Sequence, residues 1–399
     1  MNSQKIKLNN LNKDLLTKVF LNFDLKMLKK LMKSSRFIFY QIKNDLLLWK
    51  IMSKLNSNSI PKCIKEVRFQ HLLQKYIKRS INESILIFKS QQKDITGLSV
   101  HKDRIIISSD DASVNIFNLQ GKLVQKFKGH RGGVWTFAQN DKYLVTGSTD
   151  RCAIIWDINE GIFNHILKGH LSTVRVIKLN GDYICTGGRD GVIRVWNFFG
   201  ECLHILSGHT KSVRCLDMDD NFLVSGSYDG TVMLWNYKNG QKICNLEPHK
   251  HRVYTVLLGK KFIVSSGVDS FVNISNIKGN FLYSYKHNSD LVMSLSFSDN
   301  ERFLISLDIT EILCKWDLKK HEVVYCIKTS DPTSFSIHND LLFLSTLTEL
   351  KVYDYSTGLF IRRIMDAEKI IKVEAINNII VVGYSNCKNF FISIYRYDI

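Results

Sequence analysis

From residue 83 onward, short apolar runs alternate with turns rich in Gly, Asp and Asn, and one strand position keeps returning. It is filled by Phe117, Trp156, Trp196, Trp235, Ser275, Trp316, Tyr353 and Tyr395, at steps of 39, 40, 39, 40, 41, 37 and 42 residues. A period near forty built from strand-length runs implies one supersecondary unit per repeat, each burying its faces on its neighbours. Eight units are predicted. The first eighty residues follow a different period. Leu11, Leu15, Leu16, Val19 and Phe20, then Leu28 and Leu31, then Phe39, Ile42, Leu48 and Trp49 fall at the three-to-four spacing of short amphipathic helices. Forty residues cannot bury so many large side chains among themselves, so part of this surface is expected to meet a partner helix. After the polar stretch 53–60 and Pro61, Ile64, Val67, Leu72, Leu73 and Ile77 continue as a basic helical stalk. The expected domains are 1–52, 53–82 and 83–399.

Three central repeats are close copies: GHRGGVW…GSTDRCAIIWD, GHLSTVR…GGRDGVIRVWN and GHTKSVR…GSYDGTVMLWN. His130, His170 and His209 each lie 26 residues before a Trp, and Asp150, Asp190 and Asp229 lie six before it. This is the WD-repeat signature of a β-propeller blade. The fold class expected is therefore an all-β eight-bladed WD-repeat propeller preceded by α-helical segments. Only four residues follow Tyr395, so the last blade is expected to borrow its fourth strand from ESILIFK at 83–89. Ring closure of this kind removes free sheet edges. The last three blades carry Thr310, Leu347 and Asn389 where Asp is expected. On that ground they are predicted to lack the His–Asp–Trp network.

The formal charge of +18 is uneven: residues 1–82 hold 18 Lys and Arg against 4 acids, or +14, which leaves +4 for the rest. The excess belongs to the N-terminal segment and not to the repeats, which argues against nucleic acid as the propeller's ligand. Nine Cys form no C-x-x-C pair. Cys185, Cys215 and Cys314 fall in apolar strand patterns where a thiol packs as a small hydrophobe, which suggests a reducing compartment and no zinc. No signal-length or membrane-length apolar run occurs, so a soluble intracellular protein of nucleus or cytoplasm is expected, with no membrane partner. No nucleophile–base pair or metal-ligand cluster stands at a workable spacing, so no enzyme, metal or cofactor is expected.

Antiparallel blades place the loop entering the first strand and the turn after the second strand on one face. Five positions after each His come Trp135, Arg175, Arg214 and Tyr254; beside each Asp come Thr149 and Arg151, Arg189, and Tyr228. Arg175 to Arg189 and Arg214 to Tyr228 are the same 14-residue step. Guanidinium forks hold phosphate bidentately, and aromatic faces beside them suit a Pro ring or an aliphatic side chain.

At these residues the strings GHRGGVW, GSTDR, GHLSTVR, GGRD, SVRC, GSYD and HRVYT resemble the F-box/WD-repeat phosphodegron receptors of the cell-division-control type. The N-terminal L-x-x-D-L-L-x-x-V-F and D-x-x-L-W at Asp45 to Trp49 resemble the F-box itself, with Asn12 where the family has Pro. The resemblance implies a non-catalytic substrate receptor of an SCF ubiquitin ligase. Leu11, Leu15, Leu16, Val19, Phe20, Leu28, Leu31, Leu48 and Trp49 would meet the Skp adaptor and, through it, cullin and the RING ligase. Arg175, Arg189, Arg214 and Tyr228 would grip the phosphate, with Arg151 adding charge beside it. Trp135, Thr149 and Thr173 would form the slot for the following Pro, and Tyr254 would receive apolar residues before the phosphate. The family's last-blade basic residue is replaced by Ser385 or Asn386, with Lys388 near, and the family's dimerisation segment is not found, so a monomer is expected. Alternatives are a scaffold for acidic peptides without ubiquitin chemistry, and an RNA-associated propeller acting through the basic N-terminus.

Overall fold

The computed structural model describes residues 86–91, 93–287, 291–309, 312–387 and 389–396. The expected helices of 1–52 and 53–82, with every adaptor residue from Leu11 to Trp49, lie outside the described residues. So do Thr310 and Lys388.

Eight four-stranded antiparallel sheets form the blades of a propeller. Blades 1 to 7 are contiguous in sequence: 95–128, 134–168, 174–206, 213–245, 253–286, 292–328 and 332–366. Blade 8 takes three strands, Lys369–Ile376, Ile379–Asn386 and Asn389–Arg396, from the C-terminal end, and its outermost strand, Leu86–Gln91, from before blade 1. Leu86 pairs with Ile394 and Phe88 with Ile392. The closing strand was expected at 83–89, and the described strand runs a few residues further along.

Each strand's residue pattern follows from where it stands in a blade. Second strands such as Tyr143–Ser148 and Tyr183–Gly188 are buried on both faces, because a neighbouring blade covers each side, and they read as continuous runs of apolar and small residues. Fourth strands lie at the rim and bury little more than one residue each, such as Phe127, Leu167 and Leu206. The core is a ring of clusters between blades. One of them joins blades 3 and 4 through Val195, Leu206, Val213, Leu216 and Trp235.

The recurring position falls on the third strand of every blade. In blades 2, 3 and 4 a hydrogen-bond relay stands beneath the Trp. Trp156 Nε1 donates to Thr146 Oγ1 at 2.9 Å, His130 Nε2 reaches the same hydroxyl at 2.8 Å, and His130 Nδ1 faces Asp150 at 2.8 Å. Thr186 and Asp190 repeat this around His170 and Trp196. In blade 4 Ser225 takes the hydroxyl's place, and His209 turns Nδ1 to Thr231 at 2.7 Å with Asp229 at 3.4 Å.

Two expectations are corrected. Blade 6 forms the Trp–Ser–His part of the relay, contrary to expectation: Trp316 and His287 share Ser306 at 2.7 and 2.6 Å, while Asp308 stands 3.7 Å from His287 Nδ1, within ion-pair range but beyond hydrogen-bond distance. The carboxylate comes from two residues before Thr310, at the end of the second strand, where blade 3 has Gly188. A side chain at Gly188 would lie 2.2 Å from the Asp190 carboxylate and 2.4 Å from His170 Nδ1. Asp308 fills that same space with its own carboxylate. Second, Cys314 is not a free thiol. It faces Cys326 on the adjacent strand, 4.3 Å between Cα atoms, and the two are joined in a disulfide. Cys185 and Cys215 are buried thiols as expected, with Cys215 pushed up to about 12 by burial. In blade 7 the corresponding second-strand position is Leu344, and the next residue, Ser345, bonds Thr333 and Ser334 of the inner strand.

Candidate functional site

The inner strand of every blade carries a β-bulge one or two residues after it begins. The register shifts fall at Thr96, Trp135, Arg175, Arg214, Tyr254, Met293, Thr333 and Ile371. A bulge leaves one residue out of the ladder and re-aims its side chain. Four of the eight bulged residues are the ones selected from the sequence, consecutive in blades 2 to 5. The others are small or aliphatic, so the ring of bulges is cationic and aromatic on one half only.

Backbone hydrogen bonds tie each entering loop to the turn after the second strand. Thr149 N donates to Gly133 O at 3.0 Å, Arg189 N to Thr173 O at 2.8 Å, Tyr228 N to Ser212 O at 2.9 Å and Val268 N to Arg252 O at 2.9 Å. The two sets of residues therefore share one face. In blade 2 the loop is pressed close: a Cβ at Gly132 would lie 2.2 Å from Thr149 Oγ1. Gly at 132 is the residue that lets the entering loop lie against Thr149.

At the centre, Arg175 lies over two rings, Trp135 at 5.4 Å and Tyr228 at 5.9 Å. Arg214 lies over Tyr254 at 5.5 Å, and the Tyr228 and Tyr254 rings are 5.5 Å apart. Burial, with Tyr228 beside it, raises the Tyr254 hydroxyl above the usual tyrosine range, so it stays a neutral donor. Trp135 is 47% exposed, whereas the blade tryptophans Trp156, Trp196 and Trp235 are at most 4% exposed. It is a surface platform and not a core residue. The Nε of Arg175 is buried and has no hydrogen-bond partner within the protein. Among the described residues no carboxylate stands within ion-pair distance of Arg151, Arg175, Arg189 or Arg214, while Arg194 in the same blade is 3.6 Å from Asp190.

Trp135, Arg175, Arg214, Tyr228 and Tyr254 are thus brought into one connected cluster. Thr149, Arg151, Thr173 and Arg189 stand on the turns of the same face around it, with Arg151 and Arg189 exposed. Arg151 has φ +72°, the left-handed position that Gly191 and Gly230 hold in the next two blades. Arg252 was not selected from the sequence. It lies over Tyr228 at 5.1 Å, and its place in HRVYT, two before Tyr254, was the available signal. In blade 8, Ser385 and Asn386 end the second strand, and Asn386 Oδ1 accepts from Glu368 N at 2.8 Å.

Comparison with known proteins agrees with this architecture. The model of the WD domain, G-beta repeat, matches residues 121–157, 161–197 and 200–236. The WD repeat-containing protein pop2 of Schizosaccharomyces pombe is 37% identical over 75 residues, 18% of this chain and 11% of that protein. Cell division control protein 4 of Saccharomyces cerevisiae is 34% identical over 76 residues, 18% of this chain and 10% of that protein. The chain therefore matches about a tenth of the length of these relatives. The crystal structure of the computationally designed Ika8 protein superposes with a TM-score of 0.70 at 24% identity, covering 77% of this chain and 97% of that one. The chain is an eight-bladed WD40 propeller with similarity to these WD proteins.

Proposed function

We propose that the chain is a non-catalytic substrate receptor of an SCF-type ubiquitin ligase, acting inside the cell. Its propeller holds a phosphorylated Ser/Thr-Pro segment, and residues 11–49 dock on the Skp adaptor so that the bound protein is presented for ubiquitin transfer. The observation that supports this reading is Arg175: a guanidinium flanked by two aromatic rings, with a buried, unpartnered Nε and no carboxylate within ion-pair distance. A charge placed at this cost suits a strongly anionic ligand, and phosphate carries about −1.5 to −2 charges at neutral pH. In this reading Arg175, Arg189, Arg214 and Tyr228 hold the phosphate and Arg151 adds field beside it. Trp135, Thr149 and Thr173 receive the Pro ring, and Tyr254 receives the residues before the phosphate.

Fluorescence polarisation with a Ser/Thr-Pro peptide in phosphorylated and unphosphorylated forms tests the site. Arg175→Ala is expected to weaken the phosphorylated form at least about 30-fold, since truncating one partner of a buried charge pair costs about 2–5 kcal/mol. Equal affinity for the two forms would leave only a propeller scaffold. The ligase half is tested separately, by co-purification with the Skp adaptor. Trp49→Ala should abolish it and leave peptide binding intact; capture that survives both Trp49→Ala and Leu16→Ala removes the adaptor role. The charge of +14 over residues 1–82 favours a second reading, RNA association. That reading predicts binding that falls steeply with salt and survives Arg175→Ala.

A further inference from the structure

Among the described residues, blades 2 to 5 hold two buried polar side-chain atoms without a hydrogen-bond partner, Arg175 Nε and the hydroxyl of Ser212. Ser212 is 7% exposed and stands in the loop that enters blade 4. The groups around it in that loop are all engaged. Thr210 N donates to Asp229 at 2.7 Å, Lys211 O accepts from Ser227 Oγ at 3.1 Å, and the carbonyl of Ser212 itself accepts from Tyr228 N at 2.9 Å. A hydroxyl buried with nothing to bond costs free energy, and the loop offers no structural use for this one. Where it points follows from the repeat. Gly133, Thr173, Ser212 and Arg252 each stand three residues after the His of their repeat. A Cβ at Gly133 would meet the carboxylate of Asp110 and lie 3.1 Å from its Cα, and Arg252 lies over Tyr228 at 5.1 Å. Asp110 and Tyr228 follow the second strands of blades 1 and 4, so a side chain at this position is directed at that turn of the preceding blade. For Ser212 the residue there is Arg189, which is exposed.

We infer that Ser212 is a positioning residue for Arg189. With a phosphate bound, the Arg189 guanidinium turns in across the junction of blades 3 and 4, donates one N–H to Ser212 Oγ and presents its remaining N–H groups to the phosphate oxygens. This rests on the phosphopeptide reading above and adds to it the residue that fixes one of the guanidiniums. A guanidinium carries five donors, so one can be given to the hydroxyl while a fork remains for the phosphate. A hydroxyl suits the task where a carboxylate does not. Arg194 of the same blade stands 3.6 Å from Asp190, a partner that cancels its charge. Ser212 orients a guanidinium and leaves its charge for the ligand. The hydroxyl's own hydrogen stays free to donate to a phosphate oxygen. An exposed Arg without such an acceptor would have to give up its full side-chain freedom on binding.

The test uses the full chain and fluorescence polarisation with a Ser/Thr-Pro peptide in phosphorylated and unphosphorylated forms. Ser212→Ala should weaken the phosphorylated form about tenfold, the worth of one hydrogen bond to a charged group, and leave the unphosphorylated form within about twofold. Because the hydroxyl acts through Arg189, the same change made in Arg189→Ala should cost less than about twofold more. Ser212→Thr, which installs the residue found at the equivalent place in blade 3, should keep phosphopeptide affinity within about threefold of native. In a urea melt Ser212→Ala should hold or raise the midpoint, since it removes a buried hydroxyl that had no partner. A lowered midpoint with equal loss of both peptide forms marks a structural role and overturns the inference. Phosphopeptide affinity unchanged in Ser212→Ala overturns it as well, and so does a full tenfold loss in the Arg189→Ala background. Each of those outcomes leaves the phosphate site standing. A native protein that does not distinguish the two peptides removes the site and this inference together.

Discussion

A single backbone position separates charge from stability at the site. Arg151 holds φ +72° on an exposed turn, and a non-glycine residue in that region costs on the order of 1 kcal/mol. The next two blades place Gly191 and Gly230 there. Arg151→Gly is therefore expected to raise unfolding free energy by about 0.5–1 kcal/mol in urea melts while weakening phosphopeptide binding a few-fold. A stability loss would mean that the side chain is held by contacts and not tolerated for its charge. At Arg175 the expectation differs, because fork geometry matters there as well as charge: Arg175→Lys should restore only part of what Arg175→Ala loses. The relay residues carry the pH dependence. Burial tends to raise the Asp190 carboxyl, but hydrogen bonds from His170 and the Leu171 and Val192 backbone outweigh it and bring it to about 2. An unfolded Asp titrates near 3.9, so this residue's contribution is complete above about pH 4 and is lost as pH falls towards 2. His209 is lowered too, in its case by burial, so the unfolded chain takes up its proton first and stability declines below about pH 6.5. Urea melts from pH 7 to pH 3 should show both declines, and Asp190→Asn should flatten the acidic one. Parallel curves for the native protein and Asp190→Asn would remove the assignment.

Within a blade, the element that makes the site is the bulge, and the sequence does not display it. Spacing alone places Trp135, Arg175, Arg214 and Tyr254 at equivalent points. That each is the unpaired residue of a bulge depends on the partner strand's register, which no local pattern reports. The recurring third-strand position was legible in all eight blades, even where Ser275 stands in for the aromatic, because a forty-residue period survives one weak member. The partial relay of blade 6 was not legible. Counting back from Trp316 reaches Thr310, but the carboxylate that stands beside His287, 3.7 Å from Nδ1, is Asp308 at the end of the second strand. The Cys314–Cys326 pair was hidden for a similar reason, since twelve residues of separation become adjacency only when the third and fourth strands of blade 6 are paired. Asp308 also accepts from Ile312 N at 2.9 Å. Removing one partner of a buried pair costs about 3–5 kcal/mol, so Asp308→Ala should destabilise the protein by roughly that amount in a denaturant melt. A loss under about 1 kcal/mol would show that the relay contributes little in this blade.

Across the whole ring, seven blades are contiguous and one is assembled from two distant parts of the chain, so the circle is held shut by the ladder between Leu86–Gln91 and Asn389–Arg396. That ladder lies at the outer rim of blade 8, and the strand it covers carries Ile392, Ile394 and Tyr395, all at least 95% buried. Removing residues 86–91 would leave those backbone donors and acceptors as a free, strongly apolar edge, the kind of surface that templates pairing between chains. It would also cut the link that makes blades 1 and 8 neighbours, on which Ile95, Leu98, Ile105, Val381 and Ile392 depend for their shared core. The deletion is therefore expected to give insoluble protein. Because insolubility alone has many causes, the stronger measurement is a permutant in which 83–92 follows residue 399 through a short Gly/Ser linker and the chain begins at 93. There the strand reaches the same edge as an ordinary hairpin partner, so the permutant should be soluble and melt in one cooperative transition, with phosphopeptide affinity preserved because blades 2 to 5 are untouched. A deletion mutant that is soluble and cooperative, or a permutant that aggregates as the deletion does, would show that the ring does not depend on this strand for closure.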